Sequence, residues 1–257
     1  MIDKRRMRYI ITAILVVVLG LSLTLCTSAT EHGEPREVVA STSWTAAIAR
    51  AAGATNITVL APAELRHPPE YDFKASDIAK IADTALLVWA GYEPFIQRLV
   101  TATEVPEERI IKVNTSNDPD NLIAQARSLA ERLKTTDAQA EWEVRFEELV
   151  AKIKSNAEAS SLSETRVLVH YHQQPFVRWL GYEVIGVFGP DEPSPVKIAE
   201  LASLNPDLVI DNYHTPIGQA IADIAECPRV ELRNFPASEA DTLEVLLAGN
   251  ARELGLL

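Results

Sequence analysis

The chain has 257 residues, of which 24 are basic and 36 acidic, and its formal net charge is −12 at neutral pH. A surface this acidic disfavours binding to nucleic acid and to anionic membrane surfaces. The only cysteines are Cys26 and Cys227, which leave no disulfide within a mature chain and exclude a two-thiol metal site.

The N-terminal segment has the layout of an export signal. Four basic residues within the first eight precede an apolar run from Tyr9 to Cys26. This run is about 18 residues long, near the lower limit for crossing a bilayer, so a retained anchor competes with a cleaved peptide. Cys26 is also a candidate for lipid attachment, although the bulky Leu25 precedes it. We therefore expect residues 1–26 to be a signal peptide or membrane anchor and residues 27–36 a polar tether.

A cleaved signal, a retained anchor and a lipid-modified cysteine would all place the protein outside the cytoplasm. The protein is expected to be exported and extracytoplasmic, either tethered to the outer face of the cytoplasmic membrane or periplasmic. Without residues 1–26 the chain keeps 20 basic and 35 acidic residues. Such an excess is compatible with a cationic ligand, but it also suits a solvated surface that only maintains solubility.

Short apolar runs and amphipathic segments alternate after the tether. Strands are predicted at 36–42, 56–62, 85–91 and 109–114, and helices at 44–53, 74–83 and 93–102. This alternation predicts βαβ units and a parallel sheet.

Residues 119–159 contain no glycine and are predicted to be helical. An N-cap signal at 135–137 divides them and starts a second helix that runs to about Ala159. Trp142, Phe146, Leu149 and Ile153 recur along it at spacings of three and four, which indicates packing against a core.

A second alternating series follows. Strands are predicted at 165–172, 183–189, 207–213 and 229–235, and helices at 174–180, 195–204, 216–226 and from about 241. The predicted fold class is α/β, with two Rossmann-like lobes of parallel sheet joined by a long rigid helix and a ligand cleft between the lobes. The expected boundaries are 37–136 for the first lobe, 137–160 for the helix and 161–257 for the second lobe.

Four of the five histidines follow predicted strands, where ligands gather in parallel sheets. They are His67, His170, His172 and His214. A single histidine at a strand end is more often structural, but four at the same edge favour a transition-metal site.

Acidic residues follow the same strands. They are Asp72, Asp77, Asp118, Asp211 and Asp241. Carboxylates combined with imidazoles suit zinc, manganese or iron(II). For Asp77 and Asp118 a helix-capping role is the stronger interpretation, and an N-cap role alone would explain Asp241.

Three stretches resemble the first lobe of the cluster A-I solute-binding proteins, the zinc and manganese receptors of ABC importers. They read VVASTSW at 38–44, HPPEYDFKASD at 67–77 and ADTALLVWAGYEPF at 82–95. The resemblance extends through EPSP at 192–195 and through Asp241 with Asn250. It implies that His67 is the first metal ligand, that Tyr71 belongs to an aromatic segment beside it and that Asp241 is the last, acidic ligand.

Two positions of the family pattern are ambiguous or missing. The third ligand ends the first strand of the second lobe, where His172 is favoured because it precedes the polar start of a helix, while His170 keeps the family's spacing to Gly181. The family's DPHxW motif, which supplies the second ligand, reads DPDNL here, from Asp118.

The missing second ligand has two candidate replacements. They are Asp120 and His214, of which we favour His214. Asp118, Asp120, Asp211 and Tyr71 are expected to line the cleft. The family's histidine-rich acidic loop is also missing, which leaves the identity of the metal open.

The resemblance implies a monomeric receptor that encloses zinc, manganese or iron and passes it to the permease of an ABC importer, and through the permease to the ATPase. His67, His172, His214 and Asp241 would form a shell of three nitrogens and one oxygen. The alternatives are a receptor of the same fold for a metal chelate, a tetrapyrrole or another solute, and an exported metalloenzyme. The enzyme is disfavoured because neither HExxH nor GxSxG occurs in the sequence. A surface adhesin is a third alternative.

Overall fold

Two four-stranded sheets organise the chain in the computed structural model, which describes residues 37–65, 67–84 and 86–257. Every strand pair in both sheets is parallel. The predicted α/β class with two lobes of parallel sheet is therefore confirmed. The predicted signal or anchor, the polar tether and the candidate lipid site Cys26 lie outside the described residues.

The N-terminal sheet has the strand order β2-β1-β3-β4. Its strands are β1 (Val38–Ala40), β2 (Ile57–Val59), β3 (Leu86–Trp89) and β4 (Ile110–Lys112). The helices between them are α1 (Ser43–Ala51), α2 (Ala75–Asp83) and α3 (Pro94–Thr103). Each predicted element of this series is present, although the strands are shorter than the apolar runs in the sequence.

Two consecutive helices lead from the first sheet to the second. They are α4 (Pro119–Leu133) and α5 (Thr136–Ala159). Lys134, in the left-handed conformation, ends α4 close to the predicted division. At a rise of 1.5 Å per residue, the 24 residues of α5 extend for about 36 Å.

The C-terminal sheet repeats the same topology, with the order β6-β5-β7-β8. Its strands are β5 (Arg166–His170), β6 (Glu183–Phe188), β7 (Leu208–Asn212) and β8 (Arg229–Leu232). Its helices are α6 (Gln174–Leu180), α7 (Pro195–Ala202), α8 (Gln219–Ala225) and α9 (Leu243–Glu253).

Hydrogen bonds to side chains set the ends of two C-terminal elements. The last predicted strand stops at Leu232 because the backbone of Arg233 forms two hydrogen bonds with the side chain of Asn250, both 2.8 Å long. The final helix begins at Leu243 rather than near Asp241, since the hydroxyl of Thr242 caps it by accepting from the Val245 N–H. The contact between Arg233 and Asn250, which are 17 residues apart, is not encoded in local periodicity.

A single apolar cluster connects the two sheets. It contains Val88 of β3, Phe146 of α5 and Val169 of β5, each fully buried. Two smaller clusters cover the other faces of the sheets. The two halves of the fold therefore share one core, with α5 packed into it.

No helix within residues 37–65, 67–84 and 86–257 combines the length and the apolar character needed to cross a membrane.

Candidate metal-binding cleft

A cavity of about 510 Å³ is lined by residues of both halves of the fold. His67, Tyr92 and Ser116 come from the N-terminal half, and His172 and His214 from the C-terminal half. Most of these residues follow strands, as ligand-binding residues do in parallel sheets. The cavity thus brings together three of the predicted metal ligands.

His67 occupies the start of a short 3-10 helix, Pro68–Glu70. Its side chain is exposed, while the following Pro68 is buried. The His67 carbonyl accepts from the Glu70 N–H at 3.0 Å, and the Pro68 carbonyl from the Tyr71 N–H at 3.2 Å. Because proline fixes φ, this turn holds the His67 backbone with little freedom and presents the imidazole to the cavity.

His170 and His172 have different environments, although both were candidates for the same role. His172 lines the cavity, whereas His170 is completely buried behind it and is not among the lining residues. The Nδ1 atom of His170 accepts from the His172 backbone N–H at 3.2 Å, and the two ring centroids are 5.2 Å apart. His170 therefore fixes the backbone that carries His172.

Both imidazoles are shifted toward their neutral forms. Burial lowers the pKa of His170 to about 4, and the neighbouring His172 adds to that shift. His172 is exposed, and desolvation by the surrounding protein still lowers the pKa of this side chain. A neutral imidazole is the form that binds a metal, so His172 needs little or no deprotonation near neutral pH.

His214 follows β7 and is held by aromatic neighbours. It is 6% exposed, and its ring packs edge-on against Phe235, with centroids 5.1 Å apart, and against Tyr213 at the same distance. Phe235 also lines the cavity. The aromatic packing restricts the orientation of the His214 ring.

Asp241, the predicted acidic ligand, is not among the lining residues of the cavity. Its carboxylate accepts three hydrogen bonds within its own loop, from the backbone N–H groups of Ala237 and Ser238 and from the Ser238 hydroxyl. The Asp241 carbonyl accepts from Arg50 of α1 at 3.1 Å. In this structure the side chain stabilises a turn rather than facing the histidines.

The four side chains predicted to line the cleft also lie elsewhere, and each has another role or position. The Tyr71 hydroxyl donates to Asp77 at 2.9 Å, and Asp118 caps α4 by accepting from the Asn121 N–H. Asp120 is exposed in the first turn of α4. Asp211 is fully buried and forms an ion pair with Arg229 at 2.6 Å.

The three cavity histidines do not lie close enough together in this structure to coordinate one metal ion. Across the described ranges, no three His, Cys, Asp or Glu side chains lie close enough together to hold one ion. A metal bound by all three imidazoles requires a movement of side chains or of the His67 loop. The arrangement is that of an open cleft.

Several lining residues were missed by the sequence reasoning. Aromatic side chains contribute Trp44, Tyr92, Tyr171 and Phe235, and amide side chains contribute Asn114, Gln174, Asn212 and Asn234. Asn212 could have been found from the sequence, since it is the last residue of β7 and directly follows Asp211, which was predicted to line the cleft. Successive strand residues point to opposite faces, and here the second of the pair reaches the cavity.

The family model that matches this chain is described as zinc-uptake complex component A, periplasmic (ZnuA), and it covers residues 38–205. This match includes His67, His170 and His172 but ends before His214 and Asp241. None of the curated proteins matches the chain.

Solved structures share the fold over most of the chain. The solute-binding protein FpvC from Pseudomonas aeruginosa, in complex with Mn²⁺, is 19% identical, with a TM-score of 0.71 over 86% of this chain and 97% of its own. A zinc-bound deletion mutant of ZnuA is 17% identical, with a TM-score of 0.66 over 86% and 97%. AdcAII of Streptococcus pneumoniae is 15% identical, with a TM-score of 0.66 over 85% and 99%. The family resemblance found in the sequence is confirmed.

Proposed function

The chain belongs to the zinc-uptake complex component A family, and on that premise we propose that it captures a divalent transition-metal ion in its cleft and delivers it to an ABC importer. The observation that carries this proposal is the convergence of His67, His172 and His214, from three separate loops and both halves of the fold, on one cavity. Imidazole nitrogens suit zinc, iron and nickel, and mixed sites accept manganese.

The histidines are proposed to bind the ion by closing around it. His214 and His172 are attached to strand ends of the C-terminal sheet, and His67 lies on a loop of the N-terminal half. Bringing His67 toward the other two would convert the open cleft into a site with protein ligands from both sides. Ligands from both halves would hold the ion only while the cleft is closed, which suits capture followed by release.

Asp241 is left out of the proposed ligand set. To reach the cavity, its carboxylate would have to give up three hydrogen bonds in its own loop. Each such loss removes stabilisation from a charged acceptor and opposes the movement. The proposed protein ligands are therefore three neutral nitrogens.

Partners and location follow from the same premise. We propose that a polytopic permease receives the ion, that its ATPase drives the transport and that the receptor acts as a monomer. Residues 27–36 would serve as the tether, with residues 1–26 as signal or anchor. The family description as a periplasmic component supports an extracytoplasmic position.

Calorimetric titration of the full-length chain in mild detergent tests the proposal, with Zn(II), Mn(II) and Fe(II) compared under the same conditions. We expect one-to-one binding of at least one ion, weakened by each of His67→Ala, His172→Ala and His214→Ala. His32→Ala is the matched control, since it removes an imidazole from the polar tether predicted from the sequence. Absence of binding by the unmodified chain, or equal weakening by the control, would contradict the proposal.

A further inference from the structure

Three buried amide side chains form a hydrogen-bonded chain beneath the cavity. Asn117 Nδ2 donates to Gln173 Oε1 at 3.0 Å, and Gln173 Nε2 donates to Asn212 Oδ1 at 3.1 Å. Asn117, Gln173 and Asn212 are 2%, 0% and 0% exposed. This amide chain links the loop before α4 in the N-terminal half to β7 in the C-terminal half.

Backbone groups fix the direction of the amide chain. The Phe176 N–H, which can only donate, faces Asn117 Oδ1 at 3.2 Å. The Leu232 carbonyl, which can only accept, faces Gln173 Nε2 at 3.0 Å. Reversing any one of the three amides would place two donors or two acceptors against each other, so the orientation is determined by the network.

This direction places an N–H₂ group at the end of the chain, on Asn212. Asn212 is a lining residue of the cavity, and its Nδ2 is buried without a hydrogen-bond partner among the described residues. A buried donor left unpaired destabilises the fold, and most such groups in proteins find an acceptor. Because Asn212 lines the cavity, an acceptor bound there would pair this donor.

The charge of the lining residues also favours an oxygen acceptor, and specifically an anionic one. Among the described residues that line it, none is aspartate or glutamate. A divalent ion held by three neutral imidazoles would keep its full positive charge in a partly buried space, which is unfavourable. Four-coordinate zinc would also need one more ligand. An anionic oxygen satisfies the charge and the coordination number together.

The size and walls of the cavity leave room for such an anion. Its volume of about 510 Å³ falls in the range of small-molecule sites, roughly 300–1,000 Å³, and exceeds what a bare ion occupies. Trp44, Tyr92, Tyr171 and Phe235 supply apolar walls. These side chains suit the carbon skeleton of a ligand rather than its metal.

We propose that the cargo of this cleft is a metal ion bound together with a small carboxylate, one oxygen of which binds the metal while another accepts a hydrogen bond from Asn212 Nδ2. This inference rests on the proposed function, because it needs the histidines to hold the metal. It changes the cargo from a bare ion to a metal–carboxylate pair.

The test uses full-length protein loaded with Co(II), whose visible absorption reports changes in coordination. Acetate and citrate are titrated as probe carboxylates into the loaded and the metal-free protein. We expect a saturable spectral change for the unmodified chain. In Asn212→Asp the donor is replaced by a carboxylate oxygen, while Gln173 Nε2 keeps its acceptor, and carboxylate affinity should fall at least about 10-fold, as for a lost charge-assisted hydrogen bond.

Asn234→Asp is the matched control, because it adds the same charge to the cavity wall and leaves the Asn212 donor in place. It should weaken carboxylate binding less than Asn212→Asp does. Thermal melting checks the fold of each variant, and Asn212→Ser, which shortens the side chain, replaces Asn212→Asp if that variant does not fold.

Three results would overturn the inference. They are a Co(II) spectrum that does not respond to carboxylates, equal weakening in Asn212→Asp and Asn234→Asp, and equal carboxylate binding with and without metal. Failure of the chain to bind Co(II), Zn(II), Mn(II) or Fe(II) at all is a separate outcome, which contradicts the proposed function itself.

Discussion

The two halves of the fold contribute to the cleft in different ways. The N-terminal half presents one imidazole, His67, exposed on a turn that Pro68 restricts. The C-terminal half presents two, His214 packed between aromatic rings and His172 on a backbone fixed by His170. The C-terminal half thus supplies two of the three imidazoles, each fixed in ring or backbone by a neighbouring side chain, and the N-terminal half supplies the exposed imidazole that closes over them.

This difference exists although both halves are built on one core. The largest effect is therefore expected from a substitution in the core that both halves share. Phe146 of α5 is fully buried and stacks on Trp142, with ring centroids 4.7 Å apart. Phe146→Ala is expected to lower the free energy of unfolding by about 3–5 kcal/mol, through lost burial and the cavity left behind.

Urea denaturation followed by circular dichroism measures the effect of Phe146→Ala. Val144→Ala, at an exposed position of the same helix, is the control and should change stability by less than about 0.5 kcal/mol. A single unfolding transition whose urea midpoint decreases in Phe146→Ala supports a common core. Two transitions, of which only one moves, would show that the halves unfold independently.

The second prediction concerns the support beneath His172. Because the pKa of His170 is about 4 in the folded chain and about 6.5 when unfolded, the unfolded state binds a proton more readily between these values. Stability should therefore be unaffected above pH 6.5 and fall as the pH decreases from 6.5 toward 4, by up to about 3 kcal/mol from this group.

His170→Asn tests that assignment, since asparagine can still accept from the His172 N–H but does not titrate. The free energy of unfolding is measured by urea denaturation at several pH values for both proteins. The two stability profiles should diverge below pH 6.5, with the variant less sensitive to acid. Parallel profiles would assign the acid sensitivity to other groups.

The third and smallest expected effect is a difference in metal affinity between variants that lose a histidine of the C-terminal half and the variant that loses His67. His172→Ala and His214→Ala should each weaken binding about 100-fold, since each removes a ligand whose ring or backbone is fixed by a neighbouring side chain. His67→Ala should weaken it about 10-fold, since the exposed His67 ring has to move to reach the ion. For comparison, substitution of a residue that only supports a metal ligand typically lowers metal affinity ~10- to 100-fold. Titration calorimetry with the metal that binds most tightly measures these losses of affinity. A loss for His67→Ala equal to or larger than those for the other two variants would contradict the prediction.

Much of the fold was predictable from the sequence because its signals are local. The alternation of apolar runs with amphipathic segments gave both sheets, and the N-cap signal at 135–137 marked the start of α5. The rule that ligands gather at strand ends identified the three histidines that line the cavity. Each of these inferences depends on residues within one or two elements.

The rest of the site depends on contacts that no local pattern contains. Asn117 and Gln173 are 56 residues apart, and Gln173 and Asn212 are 39 apart, so their amide chain exists only after folding. Asp211 was predicted to line the cleft, but its neighbour Asn212 lines the cavity instead, because successive residues of a strand point to opposite faces. The sequence also contained no sign that Asp241 would bind its own loop.

Zinc K-edge X-ray absorption of the zinc-loaded full-length chain shows whether the three histidines bind one ion, because imidazole ligands give a characteristic multiple-scattering signal that can be counted. We expect three imidazoles on the metal in the unmodified chain, and two in each of His67→Ala, His172→Ala and His214→Ala. A metal with no more than one imidazole, or a count that these substitutions leave unchanged, would contradict it.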